Sequence, residues 1–149
     1  MYLIEPIFLE GLVVKGFGRG SKQLGYPTAN FSENAIESLP KTLRNGVYFG
    51  FANLDAENKI YRMVANLGYC PFFQNTQRSF ETHILHDFPT DFYGSLLKVA
   101  IIDYIREERN FTSIDCLILQ IENDIKLANV KLDKYQLSAQ IYQKFNIES

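Results

Sequence analysis

The chain has 149 residues, 46% hydrophobic and 21% charged, with a formal net charge of −2. That length suits one domain, 1–149, with enough apolar residues for a core, and the charge balance argues against a general nucleic-acid binder, whose phosphate affinity needs a cationic surface. Two cysteines, Cys70 and Cys116, make neither a disulfide scaffold nor a metal-ligand spacing, and they read as free thiols. No run approaches the roughly 18 apolar residues of a membrane span, and MYLIEPIFLEG lacks the basic start and apolar stretch of a signal peptide. The expectation is a cytoplasmic protein without a membrane span.

The first predicted strand is Ile7 to Lys15. A glycine-rich loop follows, then a short extended piece holding Thr28 to Phe31. Residues 32–45 are polar around Leu39-Pro40 and read as loop. Gly46 to Leu54 (GVYFGFANL) is aromatic and strand-like, Asp55 to Lys59 is a turn, and Ile60 to Leu67 is the returning strand of a hairpin. Gly68 to Arg78 reads as a long loop. Phe80 to His86 and Ser95 to Arg106 are two further strands around DFPTDFYG. About six strands in succession favour an antiparallel barrel or sandwich over a parallel sheet.

A helix comes late, with Thr112 or Ser113 as its cap and Asp115 at its positive end. Apolar residues recur at Ile114, Leu117, Ile118, Ile121, Ile125, Ala128, Leu132 and Tyr135, which predicts one face packed on the strands. Asp124, Lys131 and Lys134 are expected elsewhere on the helix. A second short helix is expected after Ser138.

The stretch from Gly11 to Phe31 holds five of the nine glycines, with Lys15, Arg19 and Lys22 and no acid. It fails the Walker pattern, because Lys22 follows Ser21 and precedes Gln23. It fails the dinucleotide fingerprint too, since the chain runs on to Pro27. Even so, glycines allow close backbone approach to an anion, and bare N–H groups beside cations suit phosphate. A mobile hairpin with solvated cations reads equally well from composition. Thr28 and Asn30 alternate on one strand face, two oxygen donors about 7 Å apart. They suit Mg²⁺, which takes oxygen ligands and keeps several waters, but they would also serve as turn caps.

The whole string is more specific than its parts. VVKGFGRGSKQLGYPTANF resembles the signature of the riboflavin kinase (flavokinase) family. ETHILHDFPTDFYG at 81–94 resembles a second motif of that family, with GVYFG at 46–50, RMVANLG at 62–68 and Arg109-Asn110-Phe111 in matching order. The likeness spans about residues 7–135 and is nearest to the monofunctional, eukaryotic-type kinases. The chain departs from the family at Tyr69-Cys70 and at Glu107.

The resemblance implies a mainly β fold, a six-stranded antiparallel barrel of Greek-key type with a C-terminal helix packed on it. It implies transfer of the ATP γ-phosphate to the 5′-hydroxyl of riboflavin, giving FMN and ADP. The chain is separately expected to be a monomer. Gly16, Gly18, Gly20 and Lys22 would lie in a flap over ATP, and Thr28 and Asn30 would hold Mg²⁺ (Zn²⁺ or Mn²⁺ being alternatives) with the phosphates. Glu81 would be the catalytic base. Read without the resemblance, Glu81 is a strand acid of the usually solvated kind. It shares a face with His83 and Leu85, opposite Phe80, Thr82 and Ile84. His83, Asp91, Phe92 and Tyr93 are the candidate flavin contacts, with core packing as the alternative for the aromatics. The histidines, His83 and His86, fall on opposite strand faces and make a poor zinc pair. The rival functions are a non-catalytic flavin- or nucleotide-binding barrel and a single-stranded nucleic-acid barrel.

Overall fold

A computed structural model describes residues 5–14, 28–68, 78–86, 93–109 and 113–148. Six strands, β1 (Ile7–Val14), β2 (Thr28–Phe31), β3 (Gly46–Leu54), β4 (Tyr61–Gly68), β5 (Ser79–Ile84) and β6 (Leu96–Arg106), form a closed barrel in the order β1-β2-β5-β4-β3-β6. Every pairing is antiparallel. β3, β4 and β5 run as a meander and β6 returns beside β3, which is the Greek-key order. Closure removes the exposed sheet edges that a sandwich would leave.

β3 shows no buried–exposed alternation, because both of its faces are covered and all nine of its residues are buried. Tyr48, Ala52 and Leu54 fill the barrel interior with Leu9, Met63, Phe80 and Ile101. Val47, Phe49 and Phe51 point outward and are covered by helix. The register slips between Phe49 and Gly50, and at Gly50 the Ala100 carbonyl comes so close that a Cβ would collide with it. Only glycine fits there. The turn after β3 places Asp55 and Ala56 at φ 51° and 56°. Buried Asn53 closes this turn, its Nδ2 donating to the Glu57 and Lys59 carbonyls at 2.6 and 3.0 Å.

The stretch 32–45, expected to be loop, contains a short helix, α1 (Glu33–Glu37). Its Ala35 and Ile36, with Leu39 beyond, join the interior cluster. Tertiary burial of three apolar residues holds a helix too short to persist alone. The long helix α2 (Ile114–Asp133) begins at Ser113, whose hydroxyl accepts the Cys116 N–H at 3.2 Å. Ile121, Ile125, Ala128 and Leu132 pack on the outer faces of β3, β4 and β6. Arg62 of β4 fastens its far end, donating to Asn129 Oδ1 at 3.0 Å and pairing with Asp133 at 2.7 Å. The helix stops before Tyr135, which still packs on Phe51 at a centroid distance of 5.8 Å. The expected second helix is α3 (Ala139–Phe145), capped by Ser138, and it buries Ile141 and Phe145 in the outer cluster.

Asp124 corrects the sequence reading. It lies on the packed side of α2, 2% exposed, and not on the solvent face. Arg106 at the end of β6 reaches it with two guanidinium nitrogens, Nε to Oδ1 at 2.9 Å and Nη2 to Oδ2 at 2.8 Å. A buried carboxylate needs such a partner, because desolvation alone would expel it. Cys116 is a free, exposed thiol, and Cys70 lies outside the described residues. No helix among the described residues is long and apolar enough to cross a membrane.

Candidate active site

Cross-strand registers line residues up across the outer wall of the barrel. Val14 pairs with Asn30, Asn30 with Glu81, Glu81 with Asn66, Asn66 with Val47, and Val47 with Arg106. Directly paired residues share a face, and Val47 belongs to the outer cluster. Glu81 therefore points outward, flanked by an amide on each side. The next row reads Thr28, His83, Val64 and Phe49. Phe80 and Ile84 point into the barrel, as the alternation of the sequence requires.

Glu81 is 3% exposed, and Asn30 and His83 are buried beside it. Among the described residues, Asn30 Nδ2 and His83 Nδ1 have no hydrogen-bond partner. Buried polar atoms are rarely left so, and a patch of them marks a place where a ligand belongs. His83 Nε2 stands 3.9 Å from Glu81 Oε1, too long for a hydrogen bond. Burial lowers the His83 pKa to about 4, against a smaller opposing pull from Asp124. The ring is neutral at physiological pH, so Glu81 faces an imidazole and not a cation.

Two residues that sequence reasoning missed complete the patch. Asn66 Nδ2 donates to Glu108 Oε1 at 3.0 Å. Glu108 lies over Gly68, where a Cβ would collide with its carboxylate. Arg106 and Arg109 flank it and are tied to α2, the first through Asp124 and the second to Gln120 Oε1 at 3.3 Å. Gln120 in turn donates to Asp124 at 3.2 Å. Glu108 sits in a run of four charged residues, Arg-Glu-Glu-Arg, that reads as a solvated loop.

Of the residues singled out from sequence, the barrel brings Asn30, Glu81 and His83 together, with the backbone of Thr28 beside His83. Tyr93 is not with them. It is half exposed, in a turn joined to β1 through the Gly94 N–H and Val13 carbonyl at 2.9 Å, two strands away from β5. Gly16, Gly18, Gly20, Lys22, Asp91 and Phe92 lie outside the described residues, as does the Thr28 side chain.

A closed barrel with a buried carboxylate among unpartnered polar atoms on its wall is a β-barrel domain with a candidate ligand site on its outer face. Residues 3–132 match the family model described as Flavokinase: Riboflavin kinase. The chain belongs to the riboflavin kinase family. It is 48% identical to human riboflavin kinase over 128 residues, 86% of this chain and 82% of the human protein. It is 45% identical over 130 residues to the bifunctional riboflavin kinase/FMN phosphatase of Arabidopsis thaliana, covering 87% of this chain and 34% of that protein. The crystal structure of riboflavin kinase from Trypanosoma brucei superposes with a TM-score of 0.69 at 30% identity, covering 93% of this chain and 86% of that one.

Proposed function

We propose that this chain transfers the γ-phosphoryl group of ATP to the 5′-hydroxyl of riboflavin, with Glu81 as general base. Membership of the family supports the reaction. The observation that carries the residue assignment is the burial of Glu81 between Asn30 and Asn66 on the outer wall. The alcohol oxygen forms a bond to the γ-phosphorus as the bond from that phosphorus to the oxygen of ADP breaks. The hydroxyl proton passes to the Glu81 carboxylate. Such transfers are driven by positioning and by offsetting phosphate charge more than by covalent chemistry.

Asn30 and Thr28 are assigned to the metal and phosphates. The Asn30 amide is buried with an unused N–H, and amide and hydroxyl oxygens are donors that a hard divalent ion accepts. Mg²⁺ fits this donor set better than Zn²⁺, which favours nitrogen and sulfur; Mn²⁺ accepts the same oxygens. The bound ion would offset charge on the phosphates. Gly16, Gly18, Gly20 and Lys22 are assigned to a flap over the nucleotide. Residues 1–149 are read as one domain that acts as a monomer.

The test is to incubate the protein with riboflavin and MgATP and separate the flavins by chromatography. The wild type yields FMN and ADP, and Glu81→Gln lowers kcat by about 10²- to 10⁴-fold. Equal rates from both proteins would remove Glu81 as the base. Flavin bound without FMN formed would leave a binding barrel in place of the kinase.

A further inference from the structure

We propose that Arg44, Arg78 and the Tyr104 hydroxyl form an anion site at one end of the barrel, which takes a small tetrahedral oxyanion of the phosphate class. It stands apart from Glu81. That carboxylate faces outward from the wall, whereas Tyr104 pairs with Tyr48 and packs against the interior cluster.

The backbone just ahead of β3 builds the site. Leu43 packs on the interior cluster, at the end of the barrel where β3 begins and β6 finishes. The edge of the Tyr104 ring fills the space that a Cβ on Gly46 would take. Over the face of that ring stands the Arg44 guanidinium, its carbon 3.7 Å from the centroid, a cation–π contact. The Arg44 carbonyl accepts the Tyr48 hydroxyl at 2.6 Å. Arg78 reaches the same segment, with Nη1 donating to the Leu43 carbonyl at 2.6 Å and Nη2 to the Pro40 carbonyl at 3.4 Å. Ring and backbone contacts thus hold both cations in place, which spares part of the ordering cost of binding.

Their charge is left open. Neither Arg44 nor Arg78 has a carboxylate within ion-pair distance among the described residues. Carbonyl partners orient a guanidinium without cancelling its charge. Burial raises the Tyr48 pKa, and the charges of Arg44 and Arg78 both pull against that rise, so both cations act on one small region. The Tyr104 oxygen in the same region is buried and has no hydrogen-bond partner among the described residues, although buried hydroxyls are normally satisfied. An oxyanion answers both: its charge offsets the two guanidinium groups, and one of its oxygens accepts a hydrogen bond from the phenol. Donors on three separate residues suit a tetrahedral group, whose oxygens diverge, better than a planar carboxylate.

The experiment titrates inorganic phosphate into the full chain by calorimetry, in chloride buffer at fixed ionic strength, for the wild type, Arg44→Gln and Tyr104→Phe. The expected wild-type dissociation constant is on the order of 1 mM, as two or three charge-assisted contacts imply. Phosphate at about 10 mM then raises the melting temperature by about 4 °C, and acetate does not. Arg44 is exposed, so Arg44→Gln keeps the fold, as its melt in chloride checks, and binds phosphate about ten-fold or more weakly. Tyr104→Phe keeps the ring under Arg44 and melts no lower than the wild type in chloride, because it removes an unpaired buried hydroxyl, yet it too binds phosphate more weakly. A wild type that does not bind phosphate overturns the proposal. So does an undiminished response in Arg44→Gln, which would put the anion elsewhere, at the Glu81 patch for one. Tyr104→Phe binding phosphate as the wild type does, or acetate binding as tightly as phosphate, overturns it as well.

Discussion

At the scale of single residues, the site joins a buried acid to a histidine that is kept neutral. Burial holds His83 at about 4, against 6.5 for the free side chain. The unfolded chain therefore takes up the proton first as the pH falls. The stability tied to neutral His83 is complete above about pH 6.5 and drains away toward pH 4, on the order of 3 kcal/mol in all. The charge of Asp124 on α2 acts against this and limits its size. Urea unfolding at pH 7 and pH 5 should show the loss in the wild type and a flatter dependence in His83→Gln. Equal slopes in the two proteins would exonerate His83.

At the scale of elements, two contacts govern how helix and hairpin are held. The Arg106–Asp124 pair joins the end of β6 to the middle of α2, with both side chains largely out of water. Removing one partner strands the other charge, so Asp124→Ala should cost about 3–5 kcal/mol in a denaturant melt. A loss below about 1 kcal/mol would mean that water screens the pair. The β3–β4 turn offers the opposite change. Ala56 sits at φ 56°, a conformation that costs an L side chain about 1–2 kcal/mol and glycine almost nothing. Ala56→Gly should therefore raise the melting temperature, even after the added freedom of the unfolded chain is counted. A lowered melting temperature would show that the strain is already relieved by Asn53 and its two carbonyl contacts.

At the scale of the whole molecule, the functional patch is on the barrel wall and the interior is closed with side chains. Ligands can bind without opening the barrel, and binding to the folded state alone must stabilise it. MgADP and FMN together at about 100 times their dissociation constants should add about 2.7 kcal/mol each, read as a rise in melting temperature. No shift with either ligand would count against the nucleotide and flavin assignments. The outer cluster runs continuously from β3 and β6 through α2 to Phe145 of α3. We read the chain as one cooperative unit on that ground. Tyrosine fluorescence and far-ultraviolet dichroism should then follow a single urea transition, and separated transitions would divide it.

Much of this was legible in the sequence because the physics concerned is local. Strand alternation put Glu81 opposite Phe80 and Ile84, and three- and four-residue steps marked α2. The signature stretches pointed to the family when read whole. The bounds were off by a residue or two: β5 runs Ser79–Ile84 and does not reach His86. The short helix α1 was missed because its stability comes from Ala35 and Ile36 meeting the barrel interior, not from its own propensity. Asp124 was placed on the wrong face because a charge is read as solvated until its partner is seen, and Arg106 is 18 residues away. Asn66 and Glu108 gave no signal at all, being separated by 42 residues and ordinary in type.

The sequence by itself determined the chemistry on offer: a glycine-rich cationic segment, a Thr-Ala-Asn strand and a Glu-Thr-His strand, each set by residue type and short-range periodicity. Only the tertiary structure decided which of these meet. Barrel closure brings β2, β5 and β4 side by side, so that Asn30, Glu81 and Asn66 fall in one row. That row depends on hydrogen-bond register between strands far apart in the chain. Register is a property of paired backbones, and no single segment carries it.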